Sequence, residues 1–309
     1  MRKGGVKLKP FSEPGKISET ILMLDAYGWR TSKTTSSYVI LGEKIALIEP
    51  AHRSSAEKIV EGLKNFNVDL DKVFYILVSH RHFDHSAGAP PLLKYLPNAV
   101  IGAHLYTIEN FKNPEKLNRA SQQMYGDYAE PIEPVRDEEK LRVLKEGEIL
   151  ELGNGLEIEV VYTPGHTSDH YAFYERKNKF MFTGDAVGIF GYRSLSVIPT
   201  TFPPSFKYKK YMESLEKMLN YDLEIVSFAH FGGVIGKDVN EVISLAIETL
   251  EDWKSIAENV WETSKDISDL AKKLSEKYQE KLEVFPKQVR GFIFQILATG
   301  LANSLFQRK

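Results

Sequence analysis

Residues 79–85 read Ser-His-Arg-His-Phe-Asp-His. They follow residues 73–78, Val-Phe-Tyr-Ile-Leu-Val, a continuous apolar run typical of a short strand buried on both faces. Three of the eight histidines of the chain lie in this stretch around one aspartate. Chance would produce this four-residue pattern in about 2 of 10,000 chains of the same composition. We therefore interpret the stretch as a metal-binding loop rather than a loop of solvated histidines.

The spacing within this loop favours two metal ions. On an extended strand end, His80 and His82 project to the same side, because side chains alternate with a period of two. Asp84 and His85 are adjacent and cannot share that side unless the chain turns, and a turn into a helix near Ser86 would direct them to a second point. Ions in two-metal sites lie about 3.5 to 4 Å apart. The loop thus offers two ligands to each of two ions.

Three more candidate ligands stand just after other predicted strands. They are His166 in Thr-Pro-Gly-His, Asp185 in Thr-Gly-Asp and His230 in Phe-Ala-His. Taken singly, such a residue is more often a capping or surface residue. Layered α/β folds commonly bind ligands beyond the strand ends, and together with the loop these residues form a consistent set.

Strands and helices are predicted to alternate over the first part of the chain, with helix predominating afterwards. Strands are predicted at residues 17–24, 37–41, 44–48, 73–78, 99–103, 157–162, 171–174, 179–182 and 225–228. Helices are predicted at residues 54–66, 86–95 and 206–219. Residues 106–136 are polar and irregular and are predicted to form a helical or loop lid. We expect a catalytic domain over residues 1–238 and a helical C-terminal extension over residues 239–309, with a break near Pro286.

Composition excludes several classes of protein. The chain has 309 residues, of which 42% are hydrophobic, enough for a substantial core. Its 40 basic and 42 acidic side chains give a net charge of −2, which does not favour nucleic acid as a partner. The absence of cysteine excludes thiolate metal sites and thiol catalysis. We expect no signal peptide and predict that the apolar residues 291–305 form a buried helix rather than a membrane span. We expect a cytoplasmic protein that acts on a small molecule and binds no membrane.

The order of these motifs resembles the metallo-β-lactamase fold superfamily. His-x-His-x-Asp-His, Pro-Gly-His, Gly-Asp and a late His follow one another between about residues 17 and 236. Within the superfamily the chain looks closest to glyoxalase-II-like hydrolases, and residues 113–117 and 199–204 look like an uncharacterised prokaryotic branch of them. The resemblance implies an α/β (α+β) fold, a four-layer αββα sandwich of two mixed sheets flanked by helices. It places the metals at the edge where the sheets meet.

The resemblance also implies a role for each candidate ligand. By the family pattern the ligands divide into a first-ion set of His80, His82 and His166, a second-ion set of Asp84, His85 and His230, and a bridging Asp185. Donors of this kind suit Zn²⁺, Fe²⁺ or Mn²⁺, and zinc is expected because it is the most frequent. The implied function is hydrolysis of an ester, thioester or lactone by a metal-bridging hydroxide, with Asp84 and Asp185 as the catalytic carboxylates.

Other residues are expected to support these ligands or to contact substrate. The chain has Glu49 where the family has Asp and Ser79 where it has Thr, and we expect Glu49, Ser79 and His170 to hydrogen-bond the ligand loops. His52 is expected at the surface near the rim of the cleft. The candidates for substrate contact are His104, Tyr125, Tyr128 and Tyr192.

Alternatives stay open for both the reaction and the C-terminal extension. A phosphodiesterase or nuclease could use the same dinuclear site, and a mononuclear iron dioxygenase could use a subset of the ligands. Diiron redox members of the superfamily resemble His-x-Glu-x-Asp instead and are paired with flavin domains. The extension shows helical spacing of apolar residues and is expected to pack beside the active-site mouth or on a second subunit, forming a homodimer. A helical appendage far from the cleft is the alternative.

Overall fold

The structure is a computed structural model that describes residues 8–307. Its strands are β1 (Lys9–Phe11), β2 (Gly15–Lys16), β3 (Ile21–Asp25), β4 (Ser36–Leu41), β5 (Ile45–Ile48), β6 (Val73–Leu77), β7 (Val100–Ala103), β8 (Leu141–Val143), β9 (Ile149–Gly153), β10 (Leu156–Tyr162), β11 (Tyr171–Glu175), β12 (Phe180–Phe182), β13 (Ile189–Gly191), β14 (Ser196–Ile198), β15 (Ile225–Ser227) and β16 (Gly233–Ile235). Its α-helices are α1 (Ala56–Asn65), α2 (Phe83–Ser86), α3 (Ala89–Leu92), α4 (Leu105–Lys112), α5 (Glu115–Tyr125), α6 (Tyr208–Met218), α7 (Asn240–Thr263), α8 (Ile267–Tyr278) and α9 (Lys287–Phe306).

Most strands belong to two seven-stranded mixed sheets. Sheet I has the order β2-β3-β4-β5-β6-β7-β8 and is antiparallel as far as β5 and parallel beyond it. Sheet II has the order β1-β16-β15-β12-β11-β10-β9, in which only β12 and β15 are parallel. Strands β13 and β14 form a separate hairpin.

Alternating side chains on the strands build the layers. On β4, Tyr38 and Ile40 join the core shared with sheet II, whereas Val39 joins a second core with Ile59 and Leu63 of α1. This alternation follows from the period of two along a strand. Helices α6, α7 and α9 contribute to the core of sheet II. The predicted four-layer αββα sandwich with C-terminal helices is therefore confirmed.

One local prediction needs correction. The helix predicted over residues 86–95 is two short helices, α2 and α3, and α3 begins with Pro90 and Pro91 in its first turn. Proline is favoured there because its missing N–H would have no helical partner. The segment over residues 106–136, predicted to be a helical or loop lid, contains the two helices α4 and α5.

The C-terminal helices pack on the rest of the chain through their apolar faces. Trp253 of α7 lies in the core that Tyr38 and Ile40 share with sheet II, called the main core below. It contacts Phe294 of α9, with the ring centroids 5.9 Å apart. Trp261 stacks on Phe306 at 4.3 Å. These contacts occur within one chain, and a homodimer through these helices stays a prediction.

Helix α9 is longer than the apolar segment predicted over residues 291–305, because it begins directly after Pro286. By length and composition it is the one described helix that could cross a membrane, and 39% of its most apolar window is buried. Leu297 and Leu301 lie in the main core, and Gly300 packs against the backbone of Thr201. Core contacts therefore account for one side of this helix.

Candidate metal centre

The predicted metal-binding loop turns into a helix earlier than expected. Strand β6 ends at Leu77, and α2 starts at Phe83, so that Asp84 and His85 lie in its first turn. The hydroxyl of Ser86 donates a hydrogen bond to the carbonyl of His82 at 2.9 Å, which stabilises this turn. Because the chain turns here, His80 and His82 point to one place, and Asp84 and His85 point to another.

Three histidine nitrogens converge at the first ion position. The Nε2 atoms of His80 and His166 lie 2.9 and 3.0 Å from Nδ1 of His82. The Nδ1 atoms of His80 and His166 have other partners. His166 Nδ1 donates a hydrogen bond to the carbonyl of Thr200 at 2.7 Å, and His80 Nδ1 lies 3.1 Å from the hydroxyl of Ser79. This pairing directs both Nε2 lone pairs at one point, the arrangement by which proteins orient histidine ligands toward a cation.

The second set lies beside the first. His85 Nε2 is 3.5 Å from Asp84 Oδ2, and His230 Nε2 is 4.0 Å from the same oxygen. The opposite nitrogen of His85 hydrogen-bonds the carboxylate of Glu49. His85 Nε2 itself is buried with no hydrogen-bond partner among the described residues. A buried polar atom of this kind needs a partner, and a cation supplies one.

Asp185 lies between the two sets. Its Oδ2 is 3.3 Å from His166 Nε2 and 3.7 Å from His85 Nε2, and its Oδ1 is 3.5 Å from His230 Nε2. Oδ1 is buried and accepts no hydrogen bond from the described residues. The candidate ligand groups His80–His82–His166, His80–His85–Asp185 and Asp84–His85–His230 thus fit a two-ion site with a bridging carboxylate.

Burial and charge prepare these groups for metal binding. Burial and the neighbouring histidine charges hold the pKa of His80 and of His166 well below the usual value. Burial also lowers the pKa of His82 to about 4 and that of His230 to about 3. These four rings are therefore neutral at pH 7, the form that binds metal.

His85 and Asp185 behave differently. Burial lowers the pKa of His85, but the carboxylates of Asp84, Asp185 and Glu49 outweigh it and hold that pKa well above the usual value. Burial raises the pKa of Asp185 to about 7. Both groups must lose a proton to bind a metal ion. We expect zinc binding near pH 7 to release protons and to weaken as the pH falls toward 6, because protonation of either group competes with the metal.

Calorimetric titration with zinc in buffers of different ionisation enthalpy would measure this proton release. Heats that do not depend on the buffer would contradict the expectation.

Three residues, Glu49, Ser79 and His170, hydrogen-bond to the ligands or to one another and fix the positions of the ligands. The carboxylate of Glu49 accepts a hydrogen bond from the Ser79 hydroxyl at 3.0 Å as well as contacting His85. His170 Nε2 accepts the backbone N–H of Asp185 at 3.0 Å, while its Nδ1 pairs with the hydroxyl of Thr163 at 2.8 Å. The longer side chain of Glu49 thus still reaches a ligand.

Replacement of His170 by Ala is expected to lower metal affinity by about 10- to 100-fold, the usual effect of removing a group that orients a ligand. The variant loses the acceptor that holds the backbone of Asp185. Competition with a chromogenic chelator would measure the change. His104→Ala is the matched control, because His104 caps α4 by accepting the N–H of Tyr106 and contacts none of the seven ligands.

The C-terminal helix is linked to the first ion position by a short chain of contacts. Thr200, whose carbonyl holds His166, also donates its hydroxyl to the carbonyl of Asp185 at 2.7 Å. The next residue, Thr201, donates to the carbonyl of Leu297 in α9 at 2.7 Å. A Cβ at Gly300 of α9 would lie 1.8 Å from the carbonyl oxygen of Thr201.

We expect Gly300→Ala to destabilise the protein by about 1–3 kcal/mol, because the overlap with the Thr201 backbone must be relieved by moving one of the two segments. Gly291→Ala in the same helix meets no atom within 4 Å and is expected to be neutral or stabilising. Denaturant unfolding of both variants checks this. If the Gly300→Ala and Gly291→Ala variants were equally stable, α9 and the segment at Thr201 would be able to move apart without cost.

A cavity of about 290 Å³ opens onto the metal centre. Its lining includes the ligands His82, Asp84, Asp185 and His230. The remaining lining residues are Trp29, Thr31, Thr34, Phe83, Tyr125, Tyr128, Ile189, Phe202, Phe285, Pro286, Val289, Phe292, Ile293 and Ile296. The last six belong to α9 and the segment before it, so the C-terminal extension forms part of the active-site mouth.

Of the four predicted substrate-contact residues, Tyr125 and Tyr128 line this cavity. His104 and Tyr192 are not among its lining residues, and substrate contact by these two stays a prediction. The ring of His104 stacks on Tyr162 at 5.8 Å.

His52 is fully buried rather than at the surface. Its ring packs edge-on against Trp29 at 4.4 Å and near Phe83 at 5.8 Å. Trp29 also stacks over the ligand His230 at 6.1 Å, and the sequence analysis missed it. A lone tryptophan in a loop carries no periodic signal, so only the packing of that loop against the ligands reveals its place.

Comparison with known proteins agrees with this geometry. Residues 30–230 match the metallo-beta-lactamase superfamily. The chain belongs to that superfamily. Its members are typically metal-dependent hydrolases, and the cluster of histidines and aspartates in this member could hold metal.

Individual relatives support the assignment. The metallo-beta-lactamase fold-containing protein ST1585 of Sulfurisphaera tokodaii is 33% identical over 212 residues, which are 66% of this chain and 75% of that protein. The crystal structure of ST1585 superposes with a TM-score of 0.66, covering 92% of this chain and 98% of that one at 25% identity. The putative diflavin flavoprotein A 1 of Nostoc is 30% identical over 53% of this chain but only 25% of its own length. MEM-A1, a subclass B3 metallo-beta-lactamase from a soil metagenome, shares the fold, with a TM-score of 0.55 and 95% of each chain covered at 18% identity.

Proposed function

We propose that this superfamily member is a dinuclear metal-dependent hydrolase, with zinc as the metal, acting on an ester, a thioester or a lactone. The observation that carries the proposal is the convergence of seven nitrogen and oxygen ligands, five of them buried, at the inner end of a cavity that a small molecule can enter. When bound, two such ions supply water activated at neutral pH and positive charge for the oxygen of a reacting carbonyl.

The chain's own residues provide position and proton transfer. Asp185 connects the two ligand sets, and His170 and Thr200 hold it through its backbone. The side chain of Asp84 is 17% exposed and lines the cavity. Its Oδ2 lies 3.5 Å from Nε2 of His85. A carboxylate at this place can accept the proton of the attacking water and return it to the leaving group. The rings of Trp29 and Phe202 lie against the ligands His230 and His166, with centroids 6.1 and 5.9 Å apart.

Phosphodiesters are less well suited to this cavity. Among its described lining residues there is no lysine or arginine, so a chain of phosphates would have no cationic partner. A glutathione thioester would bring carboxylates to the same apolar walls, and membership of the glyoxalase-II-like branch therefore stays a prediction. The flavoprotein relatives align over a quarter of their length, and this chain has His82 where the diiron redox pattern has Glu.

A screen of metal-loaded protein against esters, thioesters, lactones and phosphodiesters would test the proposal, with oxygen uptake measured in parallel. The expected result is hydrolysis of a carbonyl substrate that stops after chelation and returns with zinc. The variant His82→Ala should be inactive, and the exposed control Lys58→Ala should match the parent. Turnover of phosphodiesters alone, or oxygen consumption dependent on iron, would overturn it.

A further inference from the structure

The wall of the cavity formed by α9 is apolar along its whole length. Val289, Phe292, Ile293 and Ile296 occupy positions i, i+3, i+4 and i+7 of the helix and all line the cavity. This spacing puts them on one helical face. These side chains explain why α9 carries more apolar residues than its core contacts require.

Other parts of the cavity wall, including its inner end, are aromatic. Tyr125 and Tyr128 line the cavity from α5 and the turn that follows it. At the inner end, Trp29 and Phe285 pack together at 5.4 Å, and both rings lie within 6.1 Å of the ring of His230. The apolar surface thus begins at a ligand of the second ion position.

The outer end of the cavity is also apolar. Tyr128 is 67% exposed and Phe292 is 58% exposed. The charged groups on the cavity wall are metal ligands, and no described lining residue is Lys or Arg. An ionised group on the distal part of a substrate would lose water there without gaining a partner, which is unfavourable.

We propose that this cavity is an acyl-chain site and that the substrate is an ester, thioester or lactone of a medium-length aliphatic carboxylic acid. The inference rests on the proposed hydrolase function and names its substrate class. The carbonyl carbon would lie at the metal centre and the chain along the face of α9. A volume of about 290 Å³ is just below the usual range of about 300 to 1,000 Å³ for small-ligand pockets, which favours a chain of medium rather than long length.

The reaction is a hydrolysis that balances without another reactant. Water oxygen bonds to the acyl carbon, and the bond from that carbon to the ester oxygen or thioester sulfur breaks. The leaving group takes up a proton from the water. The products are the carboxylic acid and an alcohol or thiol, or a hydroxy acid from a lactone.

Metal-loaded full-length protein would be assayed on 4-nitrophenyl esters from acetate to decanoate. Each methylene that enters the cavity should raise kcat/KM by about fourfold, until the cavity is full and the series levels off. The free carboxylic acids, titrated as competitive inhibitors, should bind more tightly with chain length in the same way. A second series with fixed acetyl and lengthened alcohol should show no such rise, and a rise in that series alone would overturn the inference.

Variants on α9 give a direct test. Ile293→Trp fills the cavity and should lower the octanoate-to-acetate ratio of kcat/KM by more than about tenfold, whereas Ile293→Ala should move the optimum to longer chains. Gln295→Trp is the matched control, because Gln295 is exposed and is not a lining residue, and it should leave the ratio unchanged.

The two proposals fail in different ways. If the metal-loaded protein hydrolyses none of the carbonyl substrates, the proposed function is wrong. If it hydrolyses them with the same kcat/KM at every acyl length, or if the two Ile293 variants behave like Gln295→Trp, the hydrolase stands and the acyl-chain site is wrong.

Discussion

Asp185→Ala is expected to reduce bound metal from about two ions per chain to well below one, because the carboxylate lies within reach of both ligand sets. His230→Ala should remove mainly the second ion, since the donor atom of His230 groups with those of Asp84 and His85 and not with the histidines of the first set. Hydrolytic activity of Asp185→Ala should fall by at least about 10³-fold, the scale of losing electrostatic stabilisation of a reacting oxygen. Elemental analysis after growth with zinc measures the metal directly.

Thermal unfolding provides a second measurement of the same effect. Metal that binds only the folded protein at 100 times its Kd stabilises by about 2.7 kcal/mol, so added zinc should raise the Tm of the parent. The Asp185→Ala variant should show little of this rise. Asp222→Ala is the control, because Asp222 is 74% exposed and pairs with Lys179 far from the ligand cluster. Two tightly held ions in Asp185→Ala would rule out the bridging role.

Deletion of residues 239–309 is expected to abolish soluble folded protein. The main core includes large buried side chains from all three C-terminal helices, among them Trp253, Leu274 and Phe294. Each contributes roughly 1.5–3 kcal/mol by its burial, and a whole domain has a net stability of only about 5–15 kcal/mol. Loss of the helices would also expose the apolar surface that they cover.

Solubility, circular dichroism and mass determination of the truncated chain would check this expectation. The point variant Lys272→Ala on the exposed side of α8 is a control for altering the extension without uncovering the core. A truncated chain that stays soluble, folds and binds two metal ions would show that residues 239–309 are dispensable for the core.

Much of the metal centre could be predicted because its signal is local. The pair His80 and His82 and the pair Asp84 and His85 lie within six residues, and the backbone periodicity of a strand followed by a turn dictates that the pairs diverge. The αββα architecture followed from the order of the motifs, through their resemblance to a family, rather than from periodicity alone. Alternation on strands such as β4 then accounts for the two cores.

Tertiary structure alone decided the rest. His166, Asp185 and His230 are separated from the loop by about 80 to 150 residues of chain, and only the packing of sheet II against sheet I brings their donor atoms within 4 Å of it or of one another. The sequence could not reveal the burial of His52 or the stacking of Trp29 over His230. It predicted the C-terminal extension beside the active-site mouth only as one of several alternatives, and the structure shows which face of α9 lines the cavity. An apolar residue has the same pattern along a helix whether it faces a core or a cavity, because hydrophobicity records the loss of water contact but not the identity of the neighbour.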